Sequence, residues 1–217
     1  MSYLVAPSLL AADFSNLEKE IDRVESAGAD MIHLDVMDGV FVKNISFGIP
    51  VIKSIRKCTK LPFDVHLMIV DPIKYIDAFV DAGADSISFH YESCNNHMEV
   101  IDRIKSHGVK ACMAVNPETS AEVLREFKDK LDMILIMTVH PGFGGQKLIT
   151  ETLENIRIAD RISKETANEI PVEVDGGINR ETLHLVTEAG ANIIVMGNAI
   201  FTSDNPKEVI DFLREGK

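Results

Sequence analysis

Two short apolar segments of the chain each carry a histidine and an aspartate at alternate positions. One reads MIHLDVM over residues 31–37, and the other reads FDVHLM over residues 63–68. Side chains alternate between the two faces of a β-strand, so the polar residues and the last methionine of each segment share a face. These inward-facing sets are His33, Asp35 and Met37 in the first segment, and Asp64, His66 and Met68 in the second.

A third segment, VEVDGG over residues 172–177, places Asp175 at the tip of a strand. Two imidazoles and two carboxylates, from His33, Asp35, His66 and Asp175, can therefore converge at one end of a sheet. Such a nitrogen and oxygen set suits Zn²⁺, Fe²⁺, Mn²⁺ or Co²⁺. Any one of these histidines alone is explained as a hydrogen-bonded core residue. Four buried ionisable groups together are costly unless they are paired or bind a metal.

The remaining histidines carry weaker signals. His90 ends another strand as a lone histidine, whereas His97, His107 and His184 lie on helical patterns. We assign all four surface or packing roles. Met37, Met68 and Met137 fall near strand ends, where they are either ordinary core filling or a polarizable wall that excludes water from the reacting carbons.

Glycine-rich segments follow three consecutive strands. They read PGFGGQ at 141–146, GGIN at 176–179 and GNA at 197–199. Each segment alone is explained by a tight turn. Together they predict a phosphate site, because glycines let backbone N–H groups approach an anion.

Eight apolar runs and eight amphipathic patterns must position these residues. The runs predict strands at 4–10, 31–36, 63–69, 86–89, 109–115, 133–139, 171–174 and 193–196. The helical patterns lie near 15–27, 48–57, 72–82, 96–107, 119–128, 150–168, 179–189 and 206–215. Strict alternation with continuous apolar strands predicts an α/β protein, a single (β/α)₈ TIM barrel over residues 1–217. A doubly wound open sheet is the alternative, but no glycine-rich turn follows the first strand.

Composition excludes several classes of protein. The 217 residues include 22 basic and 34 acidic side chains, and the net charge of −12 disfavours nucleic-acid binding. No apolar stretch reaches the roughly 18 residues that a membrane helix needs. Three cysteines without metal-ligand spacing suggest a reducing, cytoplasmic environment.

The chain resembles the ribulose-phosphate 3-epimerase family. The resemblance rests on PSLLAADF at 7–14, HLDVMDG at 33–39, HLM at 66–68, PGFGGQ at 141–146, VDGG at 174–177 and GNAIF at 197–201. These segments span essentially the whole chain in one order. The resemblance implies a (β/α)₈ barrel that epimerises a ketose phosphate at C3, interconverting D-ribulose 5-phosphate and D-xylulose 5-phosphate.

The resemblance also implies roles for individual residues. The metal ligands would be His33, Asp35, His66 and Asp175, with the two aspartates as acid/base groups and zinc as the first expectation. Ser8 and His66 would contact the substrate. The phosphate end would be held by Gly142, Phe143, Gly144, Gly145, Gly176, Gly177, Gly197 and Asn198. The family forms dimers and hexamers, so a homo-oligomer is expected.

Physical chemistry agrees with this reaction type. Inverting a carbon beside a ketone needs one group to remove a proton and another to deliver one to the opposite face. A divalent cation would stabilise the enediolate as a Lewis acid. Lys43, His140 and Asn198 depart from the family pattern, which leaves D-allulose 6-phosphate as an alternative substrate.

Three other functions remain open from the sequence. A metal-dependent aldolase or hydrolase would share the ligand set, whereas a metal-free phosphosugar isomerase or indole-pathway barrel would share only the glycine loops. A non-catalytic phosphate-binding barrel would keep the glycines without an acid/base pair. The imidazoles and the paired aspartates argue against the last two alternatives.

Overall fold

Eight parallel strands form one barrel in the computed structural model, which describes residues 3–215. They are β1 (Leu4–Pro7), β2 (Ile32–Met37), β3 (Phe63–Met68), β4 (Ser86–His90), β5 (Lys110–Val115), β6 (Met133–Met137), β7 (Val172–Asp175) and β8 (Ile193–Met196). From β2 to β8 each strand pairs with its neighbours in sequence, and β1 pairs with β8. A single bridge between Ser8 and His33 joins β1 to β2. The predicted barrel is confirmed, and the open sheet is excluded.

Helices follow the strands on the outside of the barrel. They are α1 (Leu17–Ser26), α2 (Ile49–Ile55), α3 (Ile76–Asp81), α4 (His97–Ser106), α5 (Leu153–Lys164), α6 (Leu183–Ala189), α7 (Asn198–Phe201) and α8 (Pro206–Glu215). A 3₁₀ helix, Ala121–Glu126, takes the place of an α-helix after β5. None of the helices in residues 3–215 combines the length and apolar character needed to cross a membrane.

The first predicted strand is too long. The sequence predicts extended chain over residues 4–10, whereas β1 ends at Pro7. The Ser8 hydroxyl accepts a hydrogen bond from the Leu10 N–H and starts a 3₁₀ turn over Leu9–Ala11. A serine at a cap position offers the backbone this alternative to a strand, so the apolar pattern continues after the extended conformation ends.

Alternation within the strands separates an outer apolar face from an inner polar face. In β3, Phe63, Val65 and Leu67 are fully buried and belong to the main apolar core. The alternate residues Asp64 and His66 are equally buried but pair with polar side chains inside the barrel. The barrel interior therefore contains a layer of polar side chains, which is separate from the apolar core between the strands and the helices.

Glycines with positive φ end several helices. Gly28 follows α1 with a φ of +98°, and Gly190 follows α6 with a φ of +119°. Their surroundings differ, because a Cβ at position 28 would meet nothing within 4 Å. A Cβ at position 190 would lie 2.5 Å from the Cβ of Asp160.

This difference makes the two glycines a matched pair for a stability test. We expect Gly28→Ala to lower the free energy of unfolding by about 1–2 kcal/mol, the cost of a left-handed non-glycine residue. Gly190→Ala should lose roughly 1–3 kcal/mol more, because α5 must move away from the added methyl group. Urea unfolding of both variants measures the difference. Equal losses would contradict the close packing at Gly190.

Candidate active site

The carboxylate of Asp35 lies at the centre of a buried polar cluster on the barrel axis. Its Oδ1 is 3.3 Å from Nε2 of His33 and 3.0 Å from Nδ1 of His66. Its Oδ2 accepts a hydrogen bond of 2.5 Å from the hydroxyl of Ser8. Strand register produces this arrangement, because Asp35 on β2 pairs directly with His66 on β3. One carboxylate thus receives polar contacts from its own strand, from β3 and from the residue that follows β1.

Asp175 completes the set from β7. Its Oδ2 lies 4.0 Å from Nε2 of His33 and 3.9 Å from Nδ1 of His66. One ligand atom from each of His33, Asp35, His66 and Asp175 therefore falls within 4.8 Å of the others. The structure brings together all four residues that the sequence selects.

The fit of a cation to this cluster is tested by the orientation of His33. Its Nδ1 lies 2.7 Å from Oδ2 of Asp64, which fixes the ring and accepts the Nδ1 proton. Its Nε2 is buried without a hydrogen-bond partner among the described residues and faces Asp35 and Asp175. A buried nitrogen directed at two carboxyl groups suits a metal ligand. The four residues could therefore hold a divalent metal ion.

The electrostatics of the cluster also favour positive charge at this position. Burial opposes a charge on His33, but Asp35, Asp64 and Glu173 outweigh it and raise the pKa of His33 well above its usual range. A proton or a metal ion can supply that charge. Either one neutralises carboxylates that are otherwise expensive to bury.

The two aspartates have opposite pKa shifts. Burial opposes ionisation of Asp35, but the charge of His33 and the close contacts of His33 and His66 with its carboxylate lower its pKa below the usual range. Burial and the neighbouring Asp35 raise the pKa of Asp175 to about 7. One carboxyl group is therefore ionised while the other can carry a proton near neutral pH. Carboxyl groups separated in this way are suited to act as base and acid in one reaction.

The sequence analysis did not select Asp64 and Glu173 as functional residues. Asp64 accepts from Ser86 through Oδ1 at 2.7 Å, and Oε1 of Glu173 lies 3.7 Å from Nδ1 of His33. Burial and the charge of Asp64 raise the pKa of Glu173 to about 8, so it is largely protonated at neutral pH. The alternation of Glu173 with Asp175 is a signal that could have found it, since both face the barrel interior.

His90 also lies in this interior, so a surface position for it is wrong. The ring is fully buried, and its Nε2 is 2.8 Å from Nε2 of His66. Its strand carries Ser86, Ser88 and His90 at alternate positions, a pattern like those of β2 and β3. This polar alternation could have shown that His90 belongs with the inward-facing set.

A cavity of about 390 Å³ opens above the cluster at the carboxyl ends of the strands. Its lining includes Asp35 and Asp175 at the base, together with Ser8 and the methionines Met37, Met68 and Met137. The rim contains every glycine-loop residue that the sequence selects: Gly142, Phe143, Gly144, Gly145, Gly176, Gly177, Gly197 and Asn198. Asn179 and Thr202 also line it and were not selected from the sequence. The volume suits a small ligand.

The three glycine loops pack closely against one another. A Cβ at Gly177 would lie 2.2 Å from the backbone nitrogen of Leu148, and one at Gly145 would lie 2.9 Å from Nδ2 of Asn198. Asn44, from the loop after β2, donates to the carbonyl of Gly142 at 2.8 Å. Close loop packing therefore explains part of the glycine content, beside any role in ligand binding.

The three departures from the family pattern do not share one location. Asn198 lines the cavity, whereas Lys43 and His140 are exposed and line a neighbouring surface groove. Nδ1 of His140 lies 3.1 Å from Oε1 of Glu118 on the far side of that groove. Asn198 is therefore the departure with direct access to a bound ligand.

Fold and site together define a (β/α)₈-barrel enzyme with a cavity at the carboxyl ends of the strands and a cluster of ionisable groups at its base. The chain belongs to the ribulose-phosphate 3-epimerase family, whose sequence pattern matches residues 4–201. This confirms the resemblance found in the sequence.

Individual relatives agree with the family assignment. The chain is 48% identical over 214 residues to a ribulose-phosphate 3-epimerase of Bacillus subtilis (strain 168), covering 98% of this chain and 99% of that protein. It is 42% identical over 215 residues to the cytoplasmic isoform of ribulose-phosphate 3-epimerase of Oryza sativa subsp. japonica, covering 97% of this chain and 92% of that protein. A solved 3-hexulose-6-phosphate synthase superimposes with a TM-score of 0.71 over 99% of both chains at 18% identity, a likeness of fold alone.

The cluster predicts one divalent ion per chain. We expect the protein, stripped with chelator and re-dialysed, to bind Zn²⁺ or Co²⁺ with unit stoichiometry in a competition assay. His33→Ala and His66→Ala should weaken binding by more than the roughly 10- to 100-fold that loss of an outer hydrogen-bond partner costs. His184→Ala, which removes an exposed histidine on α6, is the matched control. Wild-type affinity in both ligand variants would exclude this metal site.

Proposed function

We propose that the protein epimerises a ketose phosphate at C3, interconverting D-ribulose 5-phosphate and D-xylulose 5-phosphate. Asp35 and Asp175 serve as the two acid/base groups. The observation that carries this proposal is the pair of carboxyl groups, from β2 and β7, with oppositely shifted pKa values at the base of one cavity. The names and high identity of the relatives support the same reaction.

The two aspartates act on opposite faces of the substrate carbon. In one direction the ionised Asp35 removes the C3 proton, and the protonated Asp175 delivers a proton to the other face. The roles exchange in the reverse direction. After each turnover Asp35 is protonated and Asp175 is ionised, so the pair must return to its starting state by proton exchange before the next substrate of the same kind reacts.

A divalent metal ion is part of the proposal, held by His33, Asp35, His66 and Asp175. When bound, it supplies Lewis-acid stabilisation of the negative charge that develops on the C2 and C3 oxygens. Zinc is the first candidate because two imidazoles and two carboxylates are ligands that it favours, with Fe²⁺, Mn²⁺ and Co²⁺ as alternatives. Asp64 orients His33 for this role through its Nδ1 contact.

Three methionines form the wall of the cavity at its reacting end. Met37 and Met68 are paired across β2 and β3 directly above Asp35 and His66, and Met137 is paired with Asp175 across β6 and β7. All three are nearly fully buried while still lining the cavity. Their apolar, polarizable side chains exclude water from the carbon that loses its proton.

The glycine loops take the phosphate end of the substrate. Backbone N–H groups can approach an anion along the rim formed by Gly142 to Gly145, Gly176, Gly177 and Gly197, with Phe143 and Asn198 beside it. The proposed contacts at the sugar end of the substrate are Ser8 and His66, each of which also contacts the carboxylate of Asp35. This arrangement holds the substrate across the mouth of the barrel, with C3 between the two aspartates.

D-Allulose 6-phosphate, with one more carbon, is the alternative substrate for the same groups. Asn198 is the one departure from the family pattern that could change the fit of the phosphate end, because it lines the cavity. A metal-dependent aldolase is a further alternative that shares the ligand set. Turnover rates on both ketose phosphates by protein of known metal content distinguish these possibilities.

The cellular setting is proposed on indirect grounds. A cytoplasmic location is supported by the rice relative named as a cytoplasmic isoform. A homo-oligomer, as a dimer or a hexamer, follows from what the family resemblance implies. The net charge of −12 argues against nucleic acid as a partner. The proposed reaction makes a small sugar phosphate the expected ligand.

Phosphate recognition should affect the rate as well as binding. Two hydrogen bonds to a charged group contribute about 1.5–3 kcal/mol each, so their loss should reduce kcat/KM by roughly 10²- to 10⁴-fold. We therefore expect D-ribulose to be a very poor substrate compared with D-ribulose 5-phosphate, measured with the same metal-loaded protein. Comparable efficiency on the two compounds would refute the phosphate assignment.

Isotope incorporation tests the two-base mechanism. In deuterated water we expect nearly every product molecule of the first turnover to carry deuterium at C3, with much slower exchange into unreacted substrate. The reason is that the delivered proton comes from a different carboxyl group than the one that received the substrate proton. Retention of the original hydrogen in most of the product would indicate a single base or a carbon–carbon cleavage route.

Two substitutions complete the isotope experiment. Asp35→Asn and Asp175→Asn should each abolish epimerisation, because an amide can neither accept nor deliver the proton. Metal content must be measured in both variants, since the same residues are proposed ligands. An Asp175→Asn protein that retains its metal and epimerises at the wild-type rate would defeat the assignment.

A further inference from the structure

A chain of contacts continues outward from His66 to a second carboxylate. Nε2 of His66 lies 2.8 Å from Nε2 of His90, and Nδ1 of His90 lies 3.4 Å from Oε2 of Glu92. Glu92 belongs to a 3₁₀ turn, Tyr91–Ser93, that follows β4. Its Oε1 accepts from the backbone N–H of Asn116, just past the end of β5, at 2.9 Å. The chain thus joins β3 to the ends of β4 and β5.

Packing holds the two rings in place. The rings of His66 and His90 meet edge to edge with their centroids 5.0 Å apart and their planes 22° apart, and the ring of Phe41 lies against His90 with a centroid distance of 4.8 Å. Both imidazoles are fully buried. Nδ1 of His90 makes no hydrogen bond within residues 3–215. It lies 3.4 Å from Oε2 of Glu92, an ion-pair distance, so this carboxylate is the charged group that the buried nitrogen approaches.

Hydrogen bonding permits two polarities for this chain. Two imidazole nitrogens 2.8 Å apart share a single proton, so one ring donates and the other accepts. If His90 carries its proton on Nδ1, its Nε2 accepts from His66, and Nδ1 of His66 keeps a lone pair toward Asp35 and Asp175. In the opposite polarity His66 carries its proton on Nδ1, and that nitrogen cannot bind a metal.

The carboxylate decides between these polarities. We propose that Glu92 and His90 are positioning residues, which hold His66 in the tautomer that presents Nδ1 to a metal ion. An ionised carboxylate can only accept hydrogen bonds, so Glu92 favours the His90 tautomer that carries its proton on Nδ1. Burial opposes the charge on Glu92, but the contacts with His90 and Thr119 and the hydrogen bond from the Asn116 N–H lower its pKa below the usual value. This inference rests on the proposed metal site.

The two proposed imidazole ligands are then oriented in different ways. His33 contacts its carboxylate, Asp64, directly at 2.7 Å. For His66 the carboxylate acts through an intervening imidazole. In the metal-loaded protein both routes would have the same result, because each would leave one ring nitrogen directed at Asp35 and Asp175 free to bind the ion.

Glu92→Gln is the sharpest substitution for the test. Asn116 continues to donate to the amide oxygen, which places the amide nitrogen toward His90 and reverses the polarity of the chain. His90→Phe keeps the ring packing but leaves Nε2 of His66 without an acceptor. We expect each variant to bind Zn²⁺ or Co²⁺ about 10- to 100-fold more weakly than the wild type in chelator competition. Glu118→Gln, at a glutamate that contacts the exposed His140, is the matched control with unchanged affinity.

A spectroscopic measurement separates positioning from general structural damage. In NMR spectra of isotope-labelled histidine, His90 of the Zn²⁺-loaded wild type should carry its proton on Nδ1 alone. The Glu92→Gln protein should lose this single tautomer while its metal-free unfolding transition stays cooperative. Wild-type metal affinity in folded Glu92→Gln and His90→Phe, or a proton on Nε2 of His90 in the loaded wild type, would overturn the inference.

Comparison with His66→Ala distinguishes two kinds of failure. If the wild-type protein binds neither Zn²⁺ nor Co²⁺, the proposed metal site itself is wrong, and the role of Glu92 and His90 falls with it. If His66→Ala loses metal affinity while both outer variants keep it, the metal site stands and only the positioning role is refuted.

Discussion

The burial of the Asp35 carboxylate is the constraint on which the rest of the site depends. A carboxylate removed from water needs partners for both oxygens, and Ser8 after β1, His33 on β2 and His66 on β3 supply them. Each imidazole in turn needs its own outer partner, which is Asp64 for one and His90 for the other. The polar interior therefore follows, contact by contact, from one buried charge.

Barrel geometry makes this network possible. The parallel register of β2 and β3 sets His33 opposite Asp64, Asp35 opposite His66 and Met37 opposite Met68. The first of these pairs joins a proposed ligand, His33, to the carboxylate that orients it. The second pair consists of two proposed ligands, and the third forms an apolar wall at the cavity. The outer faces of the same strands remain apolar and belong to the main hydrophobic core, so the polar layer inside the barrel does not interrupt that packing.

The same network gives the two aspartates different properties. Asp35 lies between two imidazoles, whereas the side chain of Asp175 is partly exposed, close to another carboxylate and farther from the imidazole nitrogens. Their pKa values move in opposite directions for that reason. An epimerase needs this asymmetry, because a proton must leave one face of a carbon while another waits on the opposite face.

The amino-acid sequence by itself determined the alternation of strands and helices and the faces on which His33, Asp35 and His66 lie. These features follow from the two-residue period of a strand, which is local. The pairing of His33 with Asp64, and the contact of His90 with His66, could not be obtained in this way. They depend on the register between strands and on closure of the barrel, where residues 24 to 31 positions apart meet. Tertiary structure alone decided them, because a one-residue slip in register would pair different side chains while leaving every local pattern unchanged.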